Sequence, residues 1–321
     1  MLTGTVPEPI PVPIASLRPA RVTCQACHWP QQYFAPQYRR LVHFLSDEQN
    51  TRWEIHLRVQ TGGGGPSLPA APGIHSHHGG VHNTIQYVAA DRARSTIPWI
   101  RVTDRQSGLV TEYLARGATR PDQAIATGEP RTMDCIDCHN RAAHRHPPPD
   151  DSIDIQMALG NISPTLPAIK KIGVALLAAQ YESQDEATTK IESGLRAFYA
   201  EHYPVVPETR KYDVAAAVHA LQTIYRRGFF PGMKVRWDTY PDHRGHMDSP
   251  GCFRCHDGQH VDDAGEVLTH DCGTCHVIVA QGSPGSLAYA SGPDGLDFQH
   301  PAGIGDLWQS MACSDCHTGG S

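Results

Sequence analysis

Ten cysteines constrain this chain more than any other feature. They fall into five groups of one form, Cys-x-x-Cys-His: Cys24/Cys27/His28, Cys135/Cys138/His139, Cys252/Cys255/His256, Cys272/Cys275/His276 and Cys313/Cys316/His317, with no cysteine left over. A histidine would follow a chance cysteine pair in roughly one case of twenty. Here it follows all five pairs. This spacing is what covalent attachment of c-type haem requires. Two thiols three positions apart reach the two vinyl groups on one edge of a porphyrin and form thioethers. The histidine directly after the second thiol then lies under the iron and supplies its proximal nitrogen. The motifs therefore predict five covalently attached haem c groups, with their iron held proximally by His28, His139, His256, His276 and His317.

Other uses of paired cysteines fit less well. Structural zinc takes four ligands per site, usually from two Cys-x-x-Cys pairs. Five pairs leave one over, and zinc does not explain the histidine that follows each. A thioredoxin-like redox motif occurs once, in a βαβ setting. A disulfide across two residues closes a loop too small to stabilise much.

Five haems in 321 residues leave about sixty-four residues for each, too few for a conventional core around every cofactor. The porphyrins must supply much of the buried apolar surface. A hydrophobic content of 40 %, with 29 glycines and 26 prolines, suits loops wrapped around cofactors. The formal charge of −6, made more negative by haem propionates, argues against nucleic acid and suits redox partner proteins with a basic patch. No apolar run approaches the length of a membrane-spanning helix, and no basic-then-apolar segment follows Met1. Haem is attached outside the cytoplasmic membrane, so the expected location is periplasmic or extracellular. An export or anchoring segment, or a partner at the membrane, is expected to account for that placement.

The rest of the chain predicts an α+β, loop-rich fold: a small antiparallel β module and about four helices wrapped around the haems. Residues 1–150 form an N-terminal part in which the first two haems flank the β module at about 40–115. It opens with a proline-rich extended arm at 7–19. Residues 51–60 alternate, with Trp53, Ile55, Leu57 and Val59 on one face and Glu54, His56, Arg58 and Gln60 on the other, as in a half-buried strand. The glycine run at 62–65 reads as a flexible loop, since no Gly-Lys-Ser/Thr follows it to bind phosphate. Further strands are predicted at 84–89, 97–102 and 109–114, the last two joined as a hairpin through Ser107-Gly108. Residues 151–230 form a helical segment. Its predicted helices are 152–160 with a serine cap, one opening at Pro167 with Leu166, Ile169, Ile172 and Leu176 on one face, one beginning at the Ser183–Glu186 capping box, and one stopped by Gly228. Residues 231–321 form a three-haem C-terminal part.

Of the twenty histidines, fifteen lie outside the motifs, against only six methionines. Histidine at both axial positions is therefore expected, which implies low-potential haems. The candidate distal ligands are His246, His260 and His270, each in a loop beside a motif; His144, just after the second motif; and His75 and His77 in a Gly/Pro-rich loop. His43 and His300 are weaker candidates. His56 reads as a solvated strand residue, and His202 and His219 as helix residues. Met133 and Met311, each two positions before a motif, are minor alternatives.

Several segments resemble the NapC/NirT-like multihaem c-type cytochromes. They are Leu17-Arg18-Pro19-Ala20 ahead of Cys24-Gln25-Ala26-Cys27-His28-Trp29-Pro30, Met133-Asp134-Cys135-Ile136-Asp137-Cys138-His139-Asn140-Arg141, Lys234-Val235-Arg236-Trp237-Asp238-Thr239-Tyr240-Pro241, and Pro250-Gly251-Cys252-Phe253-Arg254-Cys255-His256-Asp257-Gly258. The resemblance implies a periplasm-facing electron carrier, often membrane-anchored and fed by quinol. In it His144, His246, His260 and His270 match histidines near haem motifs. The chain departs from the pattern at its start, which lacks the anchor helix and the motifs beside it.

These readings converge on electron transfer rather than enzymatic catalysis: a pentahaem relay from a quinol-linked membrane donor to a periplasmic or extracellular acceptor. A nitrite, hydroxylamine or sulfur-oxyanion reductase would need one iron with an open position. The histidine surplus and the absence of any variant motif argue against it. Self-assembly into an extracellular conducting filament is a third reading, supported only by the N-terminal arm.

Overall fold

In a computed structural model the chain is described over residues 35–65, 68–71, 73–79, 82–118, 130–141 and 145–320, with isolated positions at 9, 23–24 and 26–28. Apart from Pro9, the proline-rich arm lies outside the described residues, as does His144.

The β structure divides into two main antiparallel sheets, and each recruits a strand from the C-terminal part. The first sheet has the order β1 (Gln37–Phe44), β2 (Arg52–Val59), β10 (His276–Gly282), β11 (Ala288–Tyr289). The second has the order β8 (Arg131–Thr132), β5 (Asn83–Val88), β6 (Trp99–Asp104), β7 (Val110–Ala115), β9 (His260–Val261). The predicted hairpin is present, with Thr103 opposite Val110 and Trp99 opposite Leu114. The glycine run is not simply a loop: β3 (Gly63–Gly65) pairs with β4 (Leu68–Ala71) as a two-stranded ribbon. β1 and β10 were not read from the sequence. β1 carries three consecutive polar residues, Tyr38-Arg39-Arg40, and β10 begins inside a motif, so neither shows clean alternation.

The polar face of β2 is not a solvent face. Glu54 is 2 % exposed and accepts both Nε and Nη2 of Arg40 at 2.8 Å. Arg52 stands 2.7 Å away, and His56 bonds to the same carboxylate at 3.0 Å. His56 is therefore a half-buried partner of Glu54 rather than a solvated side chain. The Arg40 bond outweighs burial and holds Glu54 at about 2.

The helical segment has one core. It is built from α2 (Pro149–Ala158), α3 (Ile169–Ala178), α4 (Gln184–His202), the short α5 (Val205–Thr209) and α6 (Lys211–Gly228), following a five-residue α1 (Ile74–His78) among the strands. Ser183 caps α4 by accepting the Glu186 amide, while Glu186 reaches back to the amide of Glu182. α2 starts at Pro149, three residues before the predicted serine cap, because proline suits the first helical position. α3 starts beyond Pro167, with Ala168 left-handed at its cap, and its buried face runs through Ile169, Gly173 and Leu177. Ile172 and Leu176 flank that face half-buried, since a Cβ on Gly173 would stand 2.9 Å from Ile153 of α2.

One buried ionic cluster joins the helices to the first sheet. Asp154 accepts Lys170 Nζ at 2.5 Å and the Phe44 amide at 3.1 Å, with His43 Nδ1 at 3.2 Å. Phe44 itself enters the helical core. The second sheet has a separate apolar core of Ile85, Tyr87, Ile97, Ile100 and Met133, against which Cys255 packs. Met133 is thus a core residue. Among the described residues no helix is long and apolar enough to cross a membrane.

Candidate functional site

The five motifs adopt one local structure. In each, the amide of the histidine donates to the carbonyl of the first cysteine: His28 to Cys24, His139 to Cys135, His256 to Cys252, His276 to Cys272 and His317 to Cys313. One helical turn brings two side chains three positions apart onto the same side, so both thiols and the imidazole gather at one end of a short loop. Carboxylates brace three of these turns. Asp134 accepts the Cys135 amide at 2.7 Å, Asp271 the Gly273 amide at 3.0 Å, and Asp315 the Ala312 amide at 3.0 Å. None of the ten cysteines is in a disulfide.

The thiols are not enclosed equally. Cys255 packs against the core of the second sheet, and burial pushes it up to about 12. Cys316, by contrast, is exposed, as are Cys27 and Cys272. The reason is local. Cys316 ends the turn Cys313–Cys316 beside the exposed Asp315, so its side of the turn faces solvent while Cys313 and His317 are half-buried. Cys316 keeps the spacing for a thioether, and its turn offers that thiol at the surface rather than inside a core.

Thiols of motifs consecutive in sequence feel one another electrostatically. The Cys135 thiol is raised by burial and Asp134, and Cys24 of the first motif contributes. Burial pushes Cys138 up to about 11, with Cys252 of the third motif the next contributor. Cys275, in the fourth, is raised by burial and then by Cys252. Cys313, in the fifth, is raised by burial and also feels Cys272. Each motif is thus the electrostatic neighbour of the next.

Four motif histidines face a second histidine. His139 stands opposite His75 with ring centroids 6.4 Å apart, and His256 opposite His78 at 5.8 Å. His276 stands opposite His246, and His317 opposite His300, both at 6.0 Å. An imidazole nitrogen lies roughly 2 Å from a metal it holds, with the ring centroid roughly 1 Å further back. Two imidazoles on opposite sides of one iron therefore have centroids roughly 6 Å apart. The residues present fit haem held between paired imidazoles. Among the described residues no three His, Cys, Asp or Glu side chains form a metal-holding group.

The surroundings keep several of these rings neutral and oriented. Burial lowers His75, His139, His246, His276 and His317, and it takes His78 down to about 3. His256 Nδ1 donates to the Thr269 carbonyl at 2.6 Å, and His78 Nδ1 to the Ile74 carbonyl at 2.9 Å. Such bonds leave Nε2 as the available nitrogen. His300 Nδ1 is engaged by the Ala302 backbone, and His246 stacks on Phe253 of the third motif at 4.4 Å.

The other candidates stand elsewhere. His260 is 1 % exposed, with Nδ1 on Asp257 at 2.8 Å and Nε2 on the Ile97 carbonyl at 2.7 Å, so neither nitrogen is free for an iron. His77 Nδ1 meets the Asn83 amide nitrogen at 2.9 Å, and its ring lies edge-on to His78 rather than opposite a motif. His270 is exposed and packs over Gly258. His43 is bound to Asp154, electrostatically close to His317. Met311 is exposed. His78 escaped the sequence reading because 73–79 read as a loop. The signal was present, since His75 and His78 stand at helical i, i+3 spacing.

A buried polar network fastens the second motif to the third. Asp137, fully buried, accepts Arg94 at 2.7 Å, Arg131 at 2.8 Å and the Tyr87 hydroxyl at 2.7 Å. Its main-chain carbonyl accepts Arg254 at 2.9 Å and is 3.2 Å from His243 Nδ1. Burial, then Arg254, lowers His243 to about 4.

No protein-family model and no solved structure matches the chain. It is similar to the cytochrome c-type protein ImcH of Geobacter sulfurreducens, with 40 % identity over 320 residues. The match covers 99 % of this chain and 61 % of that protein, so the chain spans less than two thirds of its relative's length.

Proposed function

We propose that this chain is a multihaem c-type cytochrome, an electron-transfer protein rather than an enzyme. The observation that carries the reading is the set of four motif histidines, each opposite a second histidine at 5.8–6.4 Å. Likeness over nearly the whole chain to a protein named as a c-type cytochrome supports it. Bound haem supplies one-electron exchange at iron without bond-making chemistry. The chain's own residues do the rest. The ten cysteines, from Cys24 to Cys316, hold the groups covalently, the five motif histidines supply the proximal nitrogens, and His75, His78, His246 and His300 supply the distal ones at the second to fifth motifs. Burial lowers His75, His78, His139, His246, His276 and His317 and limits water around them, which tunes potential. At the four motifs where a second histidine faces the first, two imidazoles on one iron leave no position for substrate.

Motifs consecutive in sequence are electrostatic neighbours, which supports a relay that runs from the first to the fifth. The resemblance to NapC/NirT-like cytochromes favours a quinol-linked membrane donor at the first motif and a periplasmic or extracellular acceptor near the fifth. Intact-protein mass should exceed the polypeptide by five haems that acid–acetone does not extract, and the irons should be low-spin. Fewer than five haems, or bound zinc, would overturn the assignment. A high-spin iron that binds nitrite would replace it with the reductase reading. Cell fractionation tests the location, and recovery from the cytoplasm would defeat it.

A further inference from the structure

We infer that one turn of helix, α1, ligates two irons, with His75 as the sixth ligand at the second motif and His78 as the sixth ligand at the third, so that these two sites form a coupled pair. The inference rests on the haem reading above.

Its geometry is local and specific. Residues at i and i+3 share a helix face, whereas His77 between them does not. His75 stands opposite His139 and His78 opposite His256. In the second pair both Nδ1 atoms are tied to main-chain carbonyls, of Ile74 and Thr269, which reserves both Nε2 atoms. His77 is disposed the other way. The Asn83 amide nitrogen can only donate, so His77 Nδ1 accepts and its proton sits on Nε2.

The turn is also held rigidly. The amides of Ile74 and His75 donate to the Gln60 and Thr61 carbonyls at 2.9 and 2.7 Å, where β2 ends. Gly73, at φ 150°, lets that approach occur: a Cβ there would meet the Gln60 carbonyl oxygen at 2.5 Å and the Gly62 nitrogen at 2.6 Å. Two further links bring the same two motifs together. Arg254 reaches the Asp137 carbonyl, and the Cys138 and Cys252 thiols are electrostatic neighbours. A charge change at one iron would therefore be felt at the other.

Carbon monoxide, which binds ferrous haem with an open position, counts opened irons. All variants are made in the full chain, and mass confirms five haems first, so failure of the haem reading shows separately from failure of this inference. His78→Ala and His75→Ala should each bind one more CO per chain than the parent. The double variant should bind two more, and His77→Ala none. His78→Met, which keeps a ligand if the alanine variant does not fold, should stay low-spin with one component raised in potential. A second component should shift with it because the sites are coupled. The inference is overturned if His78→Ala with five haems opens no iron, if His77→Ala opens one, or if His78→Met moves no component or a single component.

Discussion

Arg254, inside the third Cys-x-x-Cys-His motif, donates from Nη2 to the main-chain carbonyl of Asp137, inside the second, at 2.9 Å. Its Nε and Nη1 donate to the carbonyls of Gly251 and Arg94, both at 2.7 Å, so the guanidinium is spent entirely on backbone. The variable positions of two motifs 117 residues apart thus bind each other directly.

Replacing Arg254 by Gln should cost about 2–4 kcal/mol, since charged hydrogen bonds of this kind contribute about 1.5–3 kcal/mol and buried carbonyls are left unpaired. Thermal melts of the haem-loaded protein should show a lower midpoint. Arg254→Lys, which keeps the charge and loses the three-way bonding, should recover only part of the loss. A midpoint unchanged in both variants would mean that the clasp does not hold the motifs together.

Gly73→Ala should displace α1. The position combines a φ that side chains rarely adopt with backbone atoms at 2.5–2.6 Å from any added Cβ. Haem content should stay at five, because the attachment residues lie elsewhere, while two irons lose their low-spin spectrum. Gly108→Ala, also at positive φ but with open space around it, should leave the spectrum unchanged. A fully low-spin Gly73→Ala protein would contradict this role for the turn.

His260 and Asp257 give stability a defined dependence on pH. Both His260 nitrogens face acceptors, which favours the imidazolium, the form with an N–H on each. Burial alone would lower it, but the bonds to Asp257 and to the Ile97 carbonyl outweigh burial and raise it. A raised folded pKa contributes stability that is full below the unfolded value, near 6.5, and is lost as pH rises through the folded one. For Asp257, burial would raise the carboxyl, but the bonds from His260 and the Gln259 amide outweigh it and lower it. Its contribution is present above about 3.9 and is lost as pH falls through the folded value. Denaturant melts between pH 5 and 9 should show stability falling on the alkaline side. His260→Gln should remove that slope, and a slope equal in parent and variant would refute the pairing.

Asp154→Ala should be among the most damaging single changes. Lys170 and Asp154 are both nearly buried, and removing one partner of a buried pair typically costs about 3–5 kcal/mol. It would also free the Phe44 amide and His43 at the end of β1. Asp154→Ala with Lys170→Met removes both charges and should recover much of the loss. The comparison of single and double variants by thermal melting checks this.

The motifs were legible in the sequence because their geometry is local. Five consecutive residues close one helical turn through a single amide-to-carbonyl bond, and no distant part of the chain is needed to bring Cys135, Cys138 and His139 together. The same holds for α4, whose Ser183 and Glu186 cap it from within three positions, and for the hairpin through Ser107-Gly108. How deeply each thiol sits was not legible: Cys255 and Cys316 occupy the same place in the motif, yet one packs against a sheet core and the other is exposed. The histidines opposite the motifs were likewise decided only in three dimensions. His78 and His256 meet through the placement of α1 at the end of β2, and β2 pairs with β10, which begins at His276. His260 and His270 lie close to motifs in sequence, yet one is tied at both nitrogens by Asp257 and Ile97 and the other is exposed. Which imidazole faces which is a through-space relation set by strand pairing over more than two hundred residues, and nearness along the chain does not carry that information.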